Sequence, residues 1–328
     1  MIALDAKTGY PVKNFGKDGV IDLYEDFDQP IPKDGTIGSS SPALVVKDVI
    51  VTGNALLAGT APRSKENTKG FIRGFDVRTG KRLWTFHTIP QPGEFGNDTW
   101  QNDSWAYTGN TGAWAALAGD ETLGYVYVPI EGATGDFYGG HRPGNNLFAD
   151  TLLCLDAKTG KRIWHYQLVH HDMWDYDIGS PPTLMDITVN GQRIRAIAQV
   201  TKQSYLYVFD RVTGKPVWPI EEKPVPKGDT PGEWYSPTQP IPTKPAPYDR
   251  QGVSEADLND WTPELHAEAL ELIKQYRIGP LFTPPSVADA NNRGTLQIPG
   301  NQGSENWQGA SFDPETGMFY VPSVTNMT

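Results

Sequence analysis

A short unit recurs along the chain and limits what it can fold into: an apolar pair, Asp, two variable residues and Thr-Gly, followed in the later copies by a basic residue and an aromatic. The copies are Ala3-Leu4-Asp5-Ala6-Lys7-Thr8-Gly9, then 74–84 ending Thr79-Gly80-Lys81-Arg82-Leu83-Trp84, 154–164 ending Thr159-Gly160-Lys161-Arg162-Ile163-Trp164, and 208–218 ending Thr213-Gly214-Lys215-Pro216-Val217-Trp218. The physics of the unit is a tight hairpin. Asp accepts backbone N–H bonds in the turn and Gly supplies a positive φ. Trp at the end of the returning strand offers a large flat surface to pack between adjacent sheets. The first copy lacks the Trp, and Phe15 is the expected stand-in after a small insertion. The turn aspartates lie 71, 80 and 54 residues apart. A minimal four-stranded blade needs roughly 40–50 residues, so the excess must sit in loops.

Other hairpins fill the gaps. Leu44 to Val51 reads as two strands around Lys47-Asp48, Trp114 to Val128 as two strands turning through Ala118–Thr122, and Asp186 to Ile194 as a hairpin with an Asn190-Gly191 turn. Ala310 to Tyr320 is another strand–turn–strand. Repeated sheet units with Trp between them predict an all-β propeller. Residues 221–280 depart from the pattern as a loop-plus-helix excursion: Glu221 to Pro247 is rich in Pro and Lys and reads as extended loop. Thr262-Pro263 then opens a helix whose apolar face is Leu265, Ala269, Leu272, Ile273 and Tyr276, with Gly279-Pro280 as the stop. The excursion is expected to cap the propeller.

Composition removes several classes. The net charge is −11, with 28 Lys and Arg against 39 Asp and Glu and no basic run, which argues against nucleic-acid binding. No 18-residue apolar run exists to span a membrane. The single cysteine, Cys154, has no disulfide partner and reads as a small apolar strand residue. Met1–Asp5 reads as the inside of a strand and not a signal peptide, and Met318–Pro322 likewise as a strand. Both ends are therefore expected to be cuts in a longer chain.

The densest polar-aromatic segment is His170-His171-Asp172-Met173-Trp174-Asp175-Tyr176-Asp177, directly after a strand. Carboxylates crowded beside aromatics at a strand exit can hold a cation or keep a perturbed pKa, although a solvated loop with a helix cap would look the same. The adjacent histidines would point apart on an extended chain, which favours structural roles over a shared ion. Lys202 lies between two apolar strands, where a lysine is ordinarily just solvated.

These segments closely resemble the PQQ-dependent quinoprotein dehydrogenases, nearest to the membrane-bound glucose dehydrogenase branch. The resemblance rests on 170–177, Pro181-Pro182-Thr183-Leu184, 186–192, Lys202 and Phe209-Asp210-Arg211, and continues through 222–228, Ser236-Pro237-Thr238-Gln239-Pro240, Phe282-Thr283-Pro284-Pro285-Ser286 and, upstream, 70–76. The repeat is similar to the family's tryptophan-docking motif. The resemblance implies an eight-bladed propeller, incomplete here with roughly half of the blades in residues 1–328. By the same resemblance Asp175 is the catalytic base and a metal ligand, and Lys202 contacts the quinone oxygens. Trp114 stacks under the PQQ ring, Asn306 and Trp307 line the pocket, and Glu131 stands as a further metal ligand in place of an expected Asn. The implied cofactors are PQQ and Ca²⁺ or Mg²⁺. The substrate would be an aldose, polyol or other alcohol, the acceptor a quinone or cytochrome, and the setting periplasmic, with any membrane anchor and the cover of the other PQQ face before Met1. Two other readings stay open: a non-catalytic propeller scaffold, which shares the docking repeat without needing Asp175, Lys202 and Trp114 together, and an inactive truncated product.

Overall fold

The computed structural model describes residues 1–31, 37–38, 40–54 and 65–328. In each copy of the repeat the Asp side chain folds back onto the Thr. Asp5 Oδ1 accepts from Thr8 N and Oγ1 at 2.8 and 2.9 Å, Asp76 from Thr79 at 2.7 and 2.7 Å, Asp156 from Thr159 at 2.8 and 2.7 Å, and Asp210 from Thr213 at 2.9 and 3.1 Å. The glycine that follows sits at φ 72, 70, 67 and 73° respectively, a conformation that costs a side-chain-bearing residue about 1 kcal/mol or more. Asp313–Gly317 uses the same turn, with Thr316 Oγ1 donating to Asp313 Oδ2 at 2.6 Å and Gly317 at φ 73°. Its Asp-x-x-Thr-Gly spacing is that of the repeat, but neither the basic residue nor the Trp follows.

The turns link antiparallel meanders. The first sheet is β1 (Leu44–Val46), β2 (Val49–Thr52), β3 (Ile72–Asp76) and β4 (Arg82–Phe86), in that order. The second is β5 (Ala118–Asp120), β6 (Tyr125–Pro129), β7 (Thr151–Asp156) and β8 (Arg162–Gln167). The third comprises β9 (Thr183–Val189), β10 (Gln192–Val200) and β11 (Leu206–Asp210), and a bridge from Phe209 to Pro216 marks the start of a fourth strand. After it come the hairpin β12 (Ile220–Pro224) with β13 (Thr238–Pro242), the helix α1 (Pro263–Ile273), and the pair β14 (Ser311–Asp313) with β15 (Met318–Tyr320). Among the described residues the chain is thus all-β apart from one helix and a few short turns of 3-10 helix.

The core lies between sheets. Val46, Val51 and Ile72 pack against Val126, Val128 and Leu153, while Cys154 and Trp164 pack against Ile197, Tyr207 and Phe209. The repeat's Trp does the docking. Trp84 Nε1 donates to Ala157 O at 2.9 Å and its ring covers Gly160; Trp164 Nε1 donates to Arg211 O at 3.1 Å and its ring covers Gly214. The turn glycine therefore serves twice, by its positive φ and by leaving room for the preceding sheet's indole. At Gly80 the covering side chain is Ile21, while Phe15 is buried nearby against Ile50 and Phe75. Phe15 thus joins the next sheet's core without taking the Trp position.

Three local expectations change. The first strand of the second sheet begins at Ala118, not Trp114, because Asn110 and Thr111 hold left-handed backbones (φ 57° each) and the chain runs irregularly before the strand. Residues 220–224 and 238–242 pair as a hairpin instead of a loop; Pro224, Pro240 and Pro242 lack N–H groups and so masked a strand pattern. Thr262 Oγ1 accepts from Leu265 N at 3.3 Å as expected of a cap, yet α1 ends at Ile273 and buries none of its residues.

Candidate cofactor and catalytic site

The 170–177 segment leaves β8 and is fastened on all sides. His170 N donates to Gln239 Oε1 at 2.8 Å and Gln239 Nε2 returns a bond to His170 O at 2.7 Å. Trp174 Nε1 donates to Thr283 O at 2.9 Å and the Tyr176 hydroxyl to Pro299 O at 2.7 Å, with both rings packed on Phe282. Asp172 closes the loop from inside, accepting from Trp174 N at 3.0 Å and Tyr176 N at 2.8 Å. Apolar residues alternate with carboxylates here so that the rings anchor the loop while Asp175 turns to the other side.

Lys202 enters from the β10–β11 connection and meets that carboxylate. Its Nζ donates to Asp175 O at 2.7 Å, Asp175 Oδ1 at 3.2 Å and Asp177 Oδ2 at 3.1 Å. The Lys202 side chain is 4% exposed and that of Asp175 22%, so the ammonium is buried while the carboxylate keeps some access to solvent. Burial works against the Lys202 charge, but Asp177 and Asp175 outweigh it and hold its pKa above the usual range. The two carboxyls divide. Burial penalises both, yet Lys202 and the Gly132 N–H, 2.7 Å from Oδ1, keep Asp177 low. Burial and the neighbouring Asp177 push Asp175 up to about 9.

Behind this pair lies a buried carboxylate group that sequence reasoning had not drawn together. A methyl on Gly132 would stand 3.2 Å from Asp172 Oδ2, 3.3 Å from Asp177 Oδ1 and 3.5 Å from Asp150 Oδ1. Asp150 is fully buried and neither carboxylate oxygen has a hydrogen-bond partner. Glu131 accepts from Gly112 N at 2.9 Å, and burial followed by the Asp177 charge raises its pKa well above the ordinary value. Burial raises Asp150 and Asp136 as well and brings Asp172 to about 7. Six carboxyls (Glu131, Asp136, Asp150, Asp172, Asp175 and Asp177) thus face Lys202 and Arg142 as their counter-charges among the described residues. Oxygen donors with surplus negative charge suit a hard divalent cation. Among the described residues no three His, Cys, Asp or Glu side chains are arranged to hold a metal by themselves. In sequence, Asp150 is one more residue at the head of a strand, and nothing local to it marks the cluster.

Gly179 brings Trp114 and Asn306 together: a methyl there would be 2.9 Å from the Trp114 ring edge and 3.1 Å from Asn306 Oδ1. Trp114, Gln302 to Gln308, Val324 and Asn326 line a cavity of about 400 Å³, and Gly303 packs on the Lys202 stem. Trp307 is 69% exposed at the rim. Glu305, buried beside it, accepts from Ser180 Oγ, and burial moves its pKa up to about 8. Trp114, Asn306 and Trp307 thus line the cavity, Lys202 adjoins it through Gly303, and Asp175 and Glu131 are not part of its lining. The histidines are separated as expected: His170 faces Gln167 and Glu222, and His171 is buried against Glu233.

A meander of docked sheets with a buried ammonium–carboxylate pair and an indole-walled cavity defines a propeller built around a small-molecule opening. The chain belongs to the glucose/ethanol/alcohol dehydrogenase β-propeller family that uses PQQ, whose pattern it matches over residues 1–328. It is 38% identical over 322 residues to the quinoprotein glucose dehydrogenase of Escherichia coli K12, covering 96% of this chain and 38% of that protein. It is 35% identical to the glycerol dehydrogenase large subunit of Gluconobacter oxydans 621H, covering 97% and 42%. The chain thus spans about two fifths of the curated relatives it matches. The fold is similar to the quinohemoprotein alcohol dehydrogenase of Comamonas testosteroni, at a TM-score of 0.64 and 23% identity over 99% of this chain and 41% of that one.

Proposed function

We propose that the chain forms the catalytic face of a PQQ-dependent dehydrogenase that oxidises an aldose, polyol or related alcohol, and that it supplies roughly half of an eight-bladed propeller. The observation that carries this is the Asp175–Lys202 contact beside the cavity walled by Trp114. PQQ, when bound, supplies a quinone able to take a hydride from an alcohol carbon. The chain's own groups suit that partner. The Trp114 indole offers a flat apolar surface, and Asn306 and Trp307 border the same space. Lys202, kept charged by two carboxylates, presents a fixed positive group to an electron-rich oxygen.

Asp175 is the base for the substrate hydroxyl: its Oδ1 is engaged by Lys202 while its side chain stays 22% exposed. A carboxyl pushed up to about 9 is protonated at neutral pH and takes no proton, so this role needs further positive charge nearby. A Ca²⁺ or Mg²⁺ ion held by Asp175 and Glu131, with remaining ligands from outside this pair, would restore the ionised form and polarise the substrate-facing carbonyl. Electrons leave to a quinone or cytochrome, in a periplasmic setting. The test is dye reduction by the full-length protein reconstituted with PQQ and Ca²⁺. Reduction with at least one member of a panel of aldoses, polyols and alcohols is expected; none with any of them would favour a scaffold.

A further inference from the structure

His171 is unused by that reading, and its surroundings demand an explanation. The ring is fully buried, with Nδ1 2.9 Å from Gly144 O and Nε2 3.1 Å from Glu233 Oε1. Both neighbours are acceptors. The carbonyl claims a proton on Nδ1, so a neutral ring turns the lone pair of Nε2 toward Glu233. That carboxylate is itself buried, with its side chain 2% exposed, and accepts from Trp234 N at 2.8 Å on Oε1 and from Gly139 N at 2.7 Å on Oε2. Two facing lone pairs in a dry interior are repulsive. One proton must lie between Nε2 and Oε1, whichever atom it is bound to.

The pair also bears on geometry. His171 holds a left-handed backbone (φ 49°), as does Asp175 four residues on (φ 59°). Such conformations persist only where the surroundings enforce them. Glu233 lies in the excursion and Gly144 in the connection from β6 to β7, so the ring ties both to the loop that carries Asp175. Trp234 stands edge-on to it at 4.8 Å between centroids.

We propose that His171 and Glu233 form a hydrogen-bonded clasp that positions the Asp175 loop and, through it, the cofactor site. His171 and Glu233 are positioning residues here, since neither borders the opening. This rests on the functional reading above for its consequence, but the clasp itself is a property of the protein without cofactor. The charged groups facing it are Arg142, buried alongside and unfavourable to a second positive charge; His141, on the same connection; and Asp172, the next residue, whose carbonyl accepts from Arg142 Nη2 at 2.5 Å. Burial lowers the pKa of His171 below the usual imidazole range although Glu233 and Gly144 O pull the other way, and, against its own burial, the bonds from His171, Gly139 N and Trp234 N hold Glu233 below the usual carboxylate range.

The experiment is nitrogen NMR of the imidazole in full-length protein labelled at histidine, without PQQ, at pH 7, with His171 assigned by its loss in His171→Gln. We expect a proton bonded at Nε2 of His171 at pH 7, lost from that nitrogen in Glu233→Gln, whose amide donates to it. A bare, unbonded Nε2 at pH 7, or a spectrum unchanged by Glu233→Gln, overturns the clasp. In parallel, PQQ affinity measured by intrinsic fluorescence should weaken about tenfold in Glu233→Ala, the size of one charge-assisted hydrogen bond, and should recover in Glu233→Gln. Affinity unchanged in Glu233→Ala would refute the positioning role, whereas a wild-type protein that binds no PQQ would sink the functional reading and leave the spectrum to decide the clasp.

Discussion

At the residue scale the organising fact is one ammonium shared by two carboxylates of opposite character. Asp177 is held low by Lys202 and the Gly132 N–H, and Asp175 is left high by burial and its neighbour. Removing Lys202 leaves both acids buried without their cation. Lys202→Met is therefore expected to lower stability by about 3–5 kcal/mol, read as a fall in the denaturation midpoint, with PQQ and Ca²⁺ partly restoring it. Asp175→Asn removes the proton acceptor and keeps the shape. It should abolish dye reduction while leaving PQQ bound with near-normal affinity; turnover like wild type would show that another group is the base.

At the element scale, stability resides in sheet-to-sheet docking. Each repeat closes its own turn through Asp and Thr, and the repeats ending in Trp84 and Trp164 then lend the indole to the following sheet, so local and tertiary interactions use residues of the same unit. Gly214 shows the coupling: it sits at φ 73°, and a methyl on it would stand 2.6 Å from the Trp164 ring. Gly214→Ala should cost about 2–4 kcal/mol, by left-handed strain together with displacement of the indole. A thermal melt should register this as a drop of several degrees. A Gly191→Ala control, at φ 78° with open space around it, isolates the strain alone; equal losses in the two would mean that Trp164 docking contributes little. The helix lies outside this scheme. Its cap was legible at Thr262-Pro263, but Leu265 and Leu272 remain 41% and 48% exposed. Helical periodicity reports that one face is apolar, not that anything covers it.

At the scale of the whole molecule, the surplus of buried carboxylates makes the fold a natural reporter of its ligands. PQQ with Ca²⁺ should raise the melting temperature of the full-length protein, because a ligand that binds only the folded state stabilises it by about 2.7 kcal/mol at 100 times its Kd. A chelator should reverse the gain. No shift with both ligands present would mean that the opening beside Trp114 holds neither.

The sequence by itself determined the repeat, and with it the turn chemistry, the docking tryptophans and the sheet architecture, since an Asp, a Thr and a Gly a few residues apart act through backbone geometry that needs no distant partner. It also singled out Asp175, Lys202 and Trp114, though by family resemblance and not by any local signal. Only the tertiary structure decided that Asp150, Asp172 and Asp177 crowd around Gly132, that His171 meets Glu233, and that the proline-rich stretch pairs as a hairpin. Gly132 and Asp150 are 18 residues apart in sequence and His171 and Glu233 are 62. Their charges and lone pairs acquire meaning through burial, which is a property of the packed whole and leaves no mark on the order of residues along the chain.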